Sequence, residues 1–440
     1  MGRKMKTMHK KTWLTGLLAF LLLLSACGQN ATNAPQEQGQ EDVVQQQKEN
    51  EKKLAGDITF WTLSLSPAFD DYIHNVIAAF EAKYPGVKVN WQDIPYDQAE
   101  QKILISASGG KLADVINLNT DFLKKLAALG ALVNMDEAAA DVKADFYPNI
   151  WKSGGLKGTS YAIPWYVSTG VLLYNTDLLK KAGLDGPPKT FDEAWAMSQV
   201  IKEKTGAYGL TVDDIHFVML MEGVPLISDD YKTAAFNGPE GVEFVKKYKK
   251  YFDDGLIPEE VLLKQVKVPE WYAQEKVAFW RAGPQHFRQI KDLAPNVYEK
   301  SDVAPAILGK TRKIHSPIMN IAVAESSKNK DVAVEFAKFI TNAENQLAFS
   351  KLAPVMPTVM AAAEDEFFTQ RKNATDVQEK GGYIASQQLQ YAEDLILPVE
   401  NVTDIYKTIN EAFRKVLLEN KDPQQALDEA AEIVTLLLNK

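Results

Sequence analysis

Residues 57–91 constrain the fold more than any other stretch. Ile58-Thr59-Phe60-Trp61 reads as a strand opening the folded part of the chain. From Asp70 to Tyr84, the residues Tyr72, Ile73, Val76, Ile77, Phe80 and Tyr84 recur on one helical face. Pro85-Gly86 stop that helix. Val87, Val89 and Trp91 then alternate with Lys88, Asn90 and Gln92 as a second strand. Strand, helix, strand is a right-handed crossover unit, which calls for a parallel sheet with helices on its faces.

The chain continues in the same α/β manner. Ala99 to Ser108 predicts a helix ended by Gly109-Gly110, and Ala113-Asp114-Val115-Ile116 a buried strand running into Asn117-Leu118-Asn119-Thr120-Asp121. Polar groups at the carboxyl end of a parallel strand lie where open α/β sheets collect ligands. Ser64 and Ser66 occupy the corresponding edge after the first strand. Asp121 reads equally as a helix cap or as a ligand contact.

Around Val171-Leu172-Leu173, a short apolar strand follows a segment of Trp165, Tyr166, Ser168 and Thr169 that suggests a cleft lining. Gly183, Gly186 and Pro187-Pro188 make a turn, and Thr190 with Glu193 fits a capping box opening a helix through Trp195. At 440 residues the chain is too long for one simple core and suggests two lobes.

The N-terminus carries a basic head, the apolar run Leu14 to Leu24 and then Ser25-Ala26-Cys27-Gly28. The run is short for a membrane-spanning helix and reads as a signal peptide over residues 1–26. Cys27 is the only cysteine, so no intrachain disulfide can form. Residues 27–55, rich in Gln, Asn, Glu and Lys, have little to bury and read as a disordered tether. Without the five basic residues of the leader, the formal net charge of -9 becomes about -14, which argues against nucleic-acid binding.

The ordered segments Ile163-Pro164, LLYNTDLLKKAGL (172–184) and PPKTFDEAW (187–195) resemble the extracellular solute-binding proteins of bacterial carbohydrate ABC importers, the branch related to maltose-binding protein. The resemblance runs from about Asp57 to the C-terminus. It implies a two-lobed periplasmic-binding-protein fold, each lobe a mainly parallel sheet flanked by helices, with the hinge crossed three times. The lobes expected are 57–164 plus 306–353 and 165–305 plus 354–440. It implies capture of a sugar or oligosaccharide by a monomer, delivery to a membrane permease, and no cofactor or metal. The Ser25-Ala26-Cys27 stretch resembles a lipobox, implying a lipidated Cys27 and an anchor on the extracellular face of the cell membrane; an ordinary signal peptide with an incidental cysteine is the alternative.

The candidate ligand residues are Ser64, Ser66, Asn117, Asn119, Asp121, Trp165, Tyr166, Ser168, His216, Trp280, Arg281, Gln285 and Asn320. Aromatic faces beside polar groups suit sugars, which offer C–H patches and dense hydroxyls. Asp121 and His216 are favoured because they match ligand-facing positions of the family. Gln285 stands where the family has an aromatic after Gly-Pro, so no stacking platform is expected there. Trp61, Trp151 and Trp195 are assigned to packing. A surface-anchored glycosidase is the competing class and needs two carboxylates about 5–10 Å apart; the acidic pairs Asp213-Asp214, Asp229-Asp230 and Asp253-Asp254 read more readily as solvated turns. A peptide-binding lobe is a further variant.

Overall fold

The computed structural model describes residues 54–212 and 214–440. In chain order, the first elements are β1 (Ala55–Leu63), α1 (Asp70–Lys83), β2 (Gly86–Ile94), α2 (Tyr96–Ser108), β3 (Val115–Asn119) and α3 (Thr120–Ala128). Then come β4 (Ala162–Val167), β5 (Val171–Asn175), α4 (Phe191–Thr205), α5 (Ile215–Met221), β6 (Phe279–Ala282) and β7 (Ser301–Ala304). The last are β8 (Ile318–Val323), α6 (Lys330–Ile340), α7 (Ala343–Leu352), β9 (Met356–Pro357), α8 (Val402–Glu419) and α9 (Pro423–Leu438).

Two sheets organise two lobes. The first has the order β9-β4-β8-β3-β1-β2, the second β6-β5-β7. The crossover read from residues 57–91 is present: β1 pairs in parallel with both β2 and β3, and α1 buries Tyr72, Ile73, Val76, Ile77 and Phe80. Ile58, Phe60, Ile321 and Val323 pack on one face of the first sheet, and Leu63, Ile116, Leu118 and Ala322 on the other. In the second sheet Leu172 and Phe279 face one core, while Val171, Leu173 and Val303 face another.

The expectation of mainly parallel sheets is corrected. β8 runs antiparallel to β3 and β4, β9 is antiparallel to β4, and the second sheet is antiparallel throughout. The reason is the hinge. β4 leaves the first lobe where β8 enters it, and β5 begins at the hinge end of the second sheet, beside which β7 ends at Ala304. Neighbours that exit and enter at one boundary must point in opposite directions.

The crossings also shift. Residues 165–167, expected in the second lobe, continue β4 in the first sheet, so the chain crosses at Ser168–Gly170. The return, expected near residue 305, comes later. Leu308 still donates to Lys189 and Thr311 to Met221, both in the second lobe. The return lies at Ser316-Pro317, where Ser168 N–H donates to Pro317 O at 3.0 Å and Ser316 Oγ donates to Thr169 Oγ1 at 3.1 Å. Expected in the second lobe, β9 pairs instead with Tyr166 and Val167. Apolar residues of 363–392 then pack around Val167 and Val171 together, on both sides of the crossing.

Local signals held. Thr190 Oγ1 accepts from Glu193 N–H at 3.2 Å, and Glu193 reaches back to Lys189 N–H at 2.7 Å, one residue before the cap. Gly183 closes the preceding helix in the left-handed region at φ 74°. Asp422 caps α9 through Gln425 N–H, with Pro423 in its first turn. Trp151 and Trp195 are buried as assigned.

Candidate functional site

A cavity of ≈ 630 Å³ is walled by both lobes. The first lobe contributes Tyr96, Asn119, Asp121 and Phe122, from the carboxyl ends of β2 and β3 and the starts of α2 and α3. This is the edge where parallel strands present ligand groups. The second lobe contributes Asp214, His216 and Phe217 at the start of α5, Lys264 from a turn, and one side of α8.

The first wall is built by hydrogen bonds that leave an aromatic face free. Asn119 caps α3, its Oδ1 accepting from Phe122 N–H at 2.8 Å, and its Nδ2 donates to the Tyr96 hydroxyl at 2.6 Å. Ser64 Oγ accepts from Tyr96 N–H at 2.8 Å and fixes the start of α2. Tyr96 remains 51% exposed, unusual for so large a ring held at both ends. Asp121 does not cap; it pairs with Lys125 at 2.9 Å, and Lys125 also holds Glu100 at 2.6 Å.

The second wall is a stack of neutral rings. His216 and Tyr406 lie 3.9 Å apart at 16°, and Phe217 and His315 3.6 Å apart at 16°. His216 Nδ1 meets Asn410 Nδ2 at 3.2 Å. Burial lowers the His216 imidazole to about 4, against the opposing pull of Asp214, so the ring is neutral at pH 7. His315, pushed down to about 3 by burial and then by His216 and Arg281, accepts Leu395 N–H at its Nδ1. The Tyr406 hydroxyl accepts Leu397 N–H at 2.8 Å, and burial pushes its ionisation up. The stack thus joins α5, α8 and the returning segment around Ile314-His315.

Of the residues selected from sequence, Asn119, Asp121 and His216 line this cavity. The others lie elsewhere. Trp165 is 0% exposed and stacks on Phe349 at 5.1 Å inside the first-lobe core. The strand continues through it with Ile163 on the same face, and a period of two carries the ring inward. Tyr166 packs against Trp165 and Phe349, and Ser168 serves the hinge through its N–H. Asn117 and Asn320 are buried between β3 and β8, Asn117 Nδ2 donating to Asn320 O at 3.2 Å. Trp280 is buried beside Tyr272. Arg281 lies over the Phe191 ring at 5.1 Å, on the core side of its strand. Ser64 acts one step back, through Tyr96, while Ser66 N–H donates to Asp93 and Gln285 sits in a short turn after β6; none of these three lines the cavity. Cys27 and Asp213 lie outside the described residues.

Residues missed by sequence reasoning are Tyr96, Phe217, Lys264 and the α8 side formed by Thr403, Tyr406, Lys407, Asn410 and Arg414. That side had a signal: intervals of three and four residues, beside the apolar stripe Val402, Ile405, Ile409 and Phe413.

Glu100, Asp121 and Asp214 give the cavity three carboxylates, two of them engaged by Lys125. Among the described residues no group of three or more His, Cys, Asp or Glu could hold a metal ion, and no helix is long and apolar enough to cross a membrane.

The profile of a family described as "Bacterial extracellular solute-binding protein" matches residues 66–347. The galactooligosaccharide-binding protein of Bacillus subtilis is 25% identical over 82% of this chain and 85% of its own. The diacetylchitobiose binding protein DasA of Streptomyces coelicolor is 25% identical over 78% and 80%. Among solved structures, a Thermotoga lettingae ABC transporter solute binding protein bound with α-D-tagatose aligns at TM-score 0.63 and 27% identity, covering 87% of this chain and 100% of that one. The sugar-binding protein MalE of Xanthomonas citri aligns at TM-score 0.74 and 23% identity over 87% and 98%, a likeness of fold.

Proposed function

This chain belongs to the bacterial extracellular solute-binding protein family, and we propose that it captures a sugar or oligosaccharide between its lobes and hands it to the permease of an ABC importer. The observation that carries this reading is the cavity itself. One wall offers the free face of Tyr96 beside Asn119 and Asp121; the other offers the neutral His216–Tyr406 stack beside Asn410. Flat apolar faces next to hydrogen-bonding edges match a sugar ring, with its C–H patch and hydroxyls. The relatives that bind galactooligosaccharide and diacetylchitobiose support the same ligand class.

The mechanism is lobe closure about the crossings at Ser168–Gly170 and Ser316-Pro317. A ligand touching one wall alone shifts nothing. One that touches Tyr96 and Tyr406 together favours the closed state by its differential affinity. The closed, loaded monomer then docks on the permease, held at the membrane by a lipid on Cys27.

A glycosidase is the second reading, because three carboxylates line the cavity. Lys125 engages both first-lobe acids, which argues for positioning rather than proton transfer. Calorimetric titration of the full chain with galacto- and chito-oligosaccharides, followed by chromatography of the mixture, separates the two. Saturable binding with intact sugar supports capture; shortened products support hydrolysis.

A further inference from the structure

The charges around the cavity are unevenly distributed. On the first-lobe wall, Glu100 and Asp121 share Lys125 at 2.6 and 2.9 Å. On the second-lobe wall, Lys264, Lys407 and Arg414 line the cavity, and among the described residues none of them makes an ion pair. Glu411 lies four residues from Lys407 and three from Arg414, within ordinary reach on a helix surface, yet neither cation pairs with it. Arg414 is half-buried, so leaving its guanidinium without an anion is costlier than at an open surface. All this occurs in a chain with net charge -9, where carboxylates to pair with are in excess. Among the described residues Asp214 is the single acid on this wall, and the neutral His216 adds no charge.

A neutral saccharide can accept hydrogen bonds from these cations through its hydroxyls but leaves their charge unmatched. The two first-lobe acids share one ammonium, which leaves one unit of negative charge there against three second-lobe cations beside Asp214. We infer that the captured saccharide carries anionic groups, as a uronic acid or a sulfated sugar does, and that Arg414 and Lys407 receive them while Tyr96 and Tyr406 take the ring faces. Arg offers a planar fork matched to a carboxylate or sulfate edge. The inference rests on the saccharide reading above and narrows it.

The test is calorimetric titration of the full chain at low salt with digalacturonate and trigalacturonate, the matched galactobiose and galactotriose, and a sulfated galactose disaccharide. An anionic sugar should bind at least about tenfold tighter than its neutral counterpart, the scale of one hydrogen bond to a charged group. In Arg414→Gln the ratio of anionic to neutral affinity should fall about tenfold, with Lys407→Gln moving it the same way and circular dichroism showing both variants folded. Preference for uronate or for sulfate identifies the anion. Neutral sugars binding as tightly as anionic ones, or a ratio unchanged in both variants, overturns the inference and leaves the saccharide reading standing. Binding of no saccharide of either kind overturns both.

Discussion

The imidazole of His216 lies 3.9 Å from the ring of Tyr406 and only 16° from parallel to it, joining the first turn of α5 to α8. This contact fixes the second-lobe wall before any ligand arrives. Tyr406→Ala should therefore weaken oligosaccharide binding by about 1–2 kcal/mol, from the lost aromatic face and the released imidazole. Calorimetry on the folded variant checks it, and Tyr406→Phe should retain most of the affinity.

On the opposite wall, Tyr96 is held by Asn119 and Ser64 yet stays 51% exposed. Removing an exposed ring costs little folding free energy. Tyr96→Ala should leave the unfolding midpoint in denaturant within about 0.5 kcal/mol of wild type, while sugar affinity drops about tenfold. Loss of stability without loss of affinity would assign Tyr96 to packing.

Trp165 behaves in the opposite way. It is fully buried between Phe349, Tyr72 and Tyr166. Trp165→Ala should cost about 3–5 kcal/mol of stability, with near-normal affinity in whatever fraction remains folded. Denaturant unfolding and titration of the same sample separate the two effects.

Acid should destabilise the fold through the buried histidines. His216 and His315 are held neutral, with folded values of about 4 and about 3. The unfolded chain takes up their protons near pH 6.5, so their contribution is fully present above that pH and is lost as pH falls toward the folded values. The melting temperature should fall between pH 6.5 and 4, and His315→Gln should flatten that slope.

The helices and the first crossover were legible because period and punctuation are local. Tyr72 to Phe80 needs only a helix to share a face, and Thr190 and Asp422 announce their own caps. Strand direction was not legible, because it depends on which side of the hinge β8 enters. Trp165 was misplaced by a crossing read a few residues early. Asn117 and Asn320 looked like ligand groups at a strand edge but are buried, Asn117 donating to Asn320 O and Asn320 to Thr120 Oγ1 and Ile318 O. Arg414 and Asn410 were not selected, because their side of α8 is legible only beside the apolar stripe that packs into the core.

The most direct test of capture between the lobes is a thermal-shift screen of the full chain against mono-, di- and oligosaccharides, with peptides and metal ions as controls. A cognate sugar at 100 times its dissociation constant should add about 2.7 kcal/mol, a rise of a few degrees. That rise should shrink in Tyr96→Ala and in Tyr406→Ala alike, since each wall supplies one. Silence across all sugars together with a shift from peptides or metal ions would contradict the account.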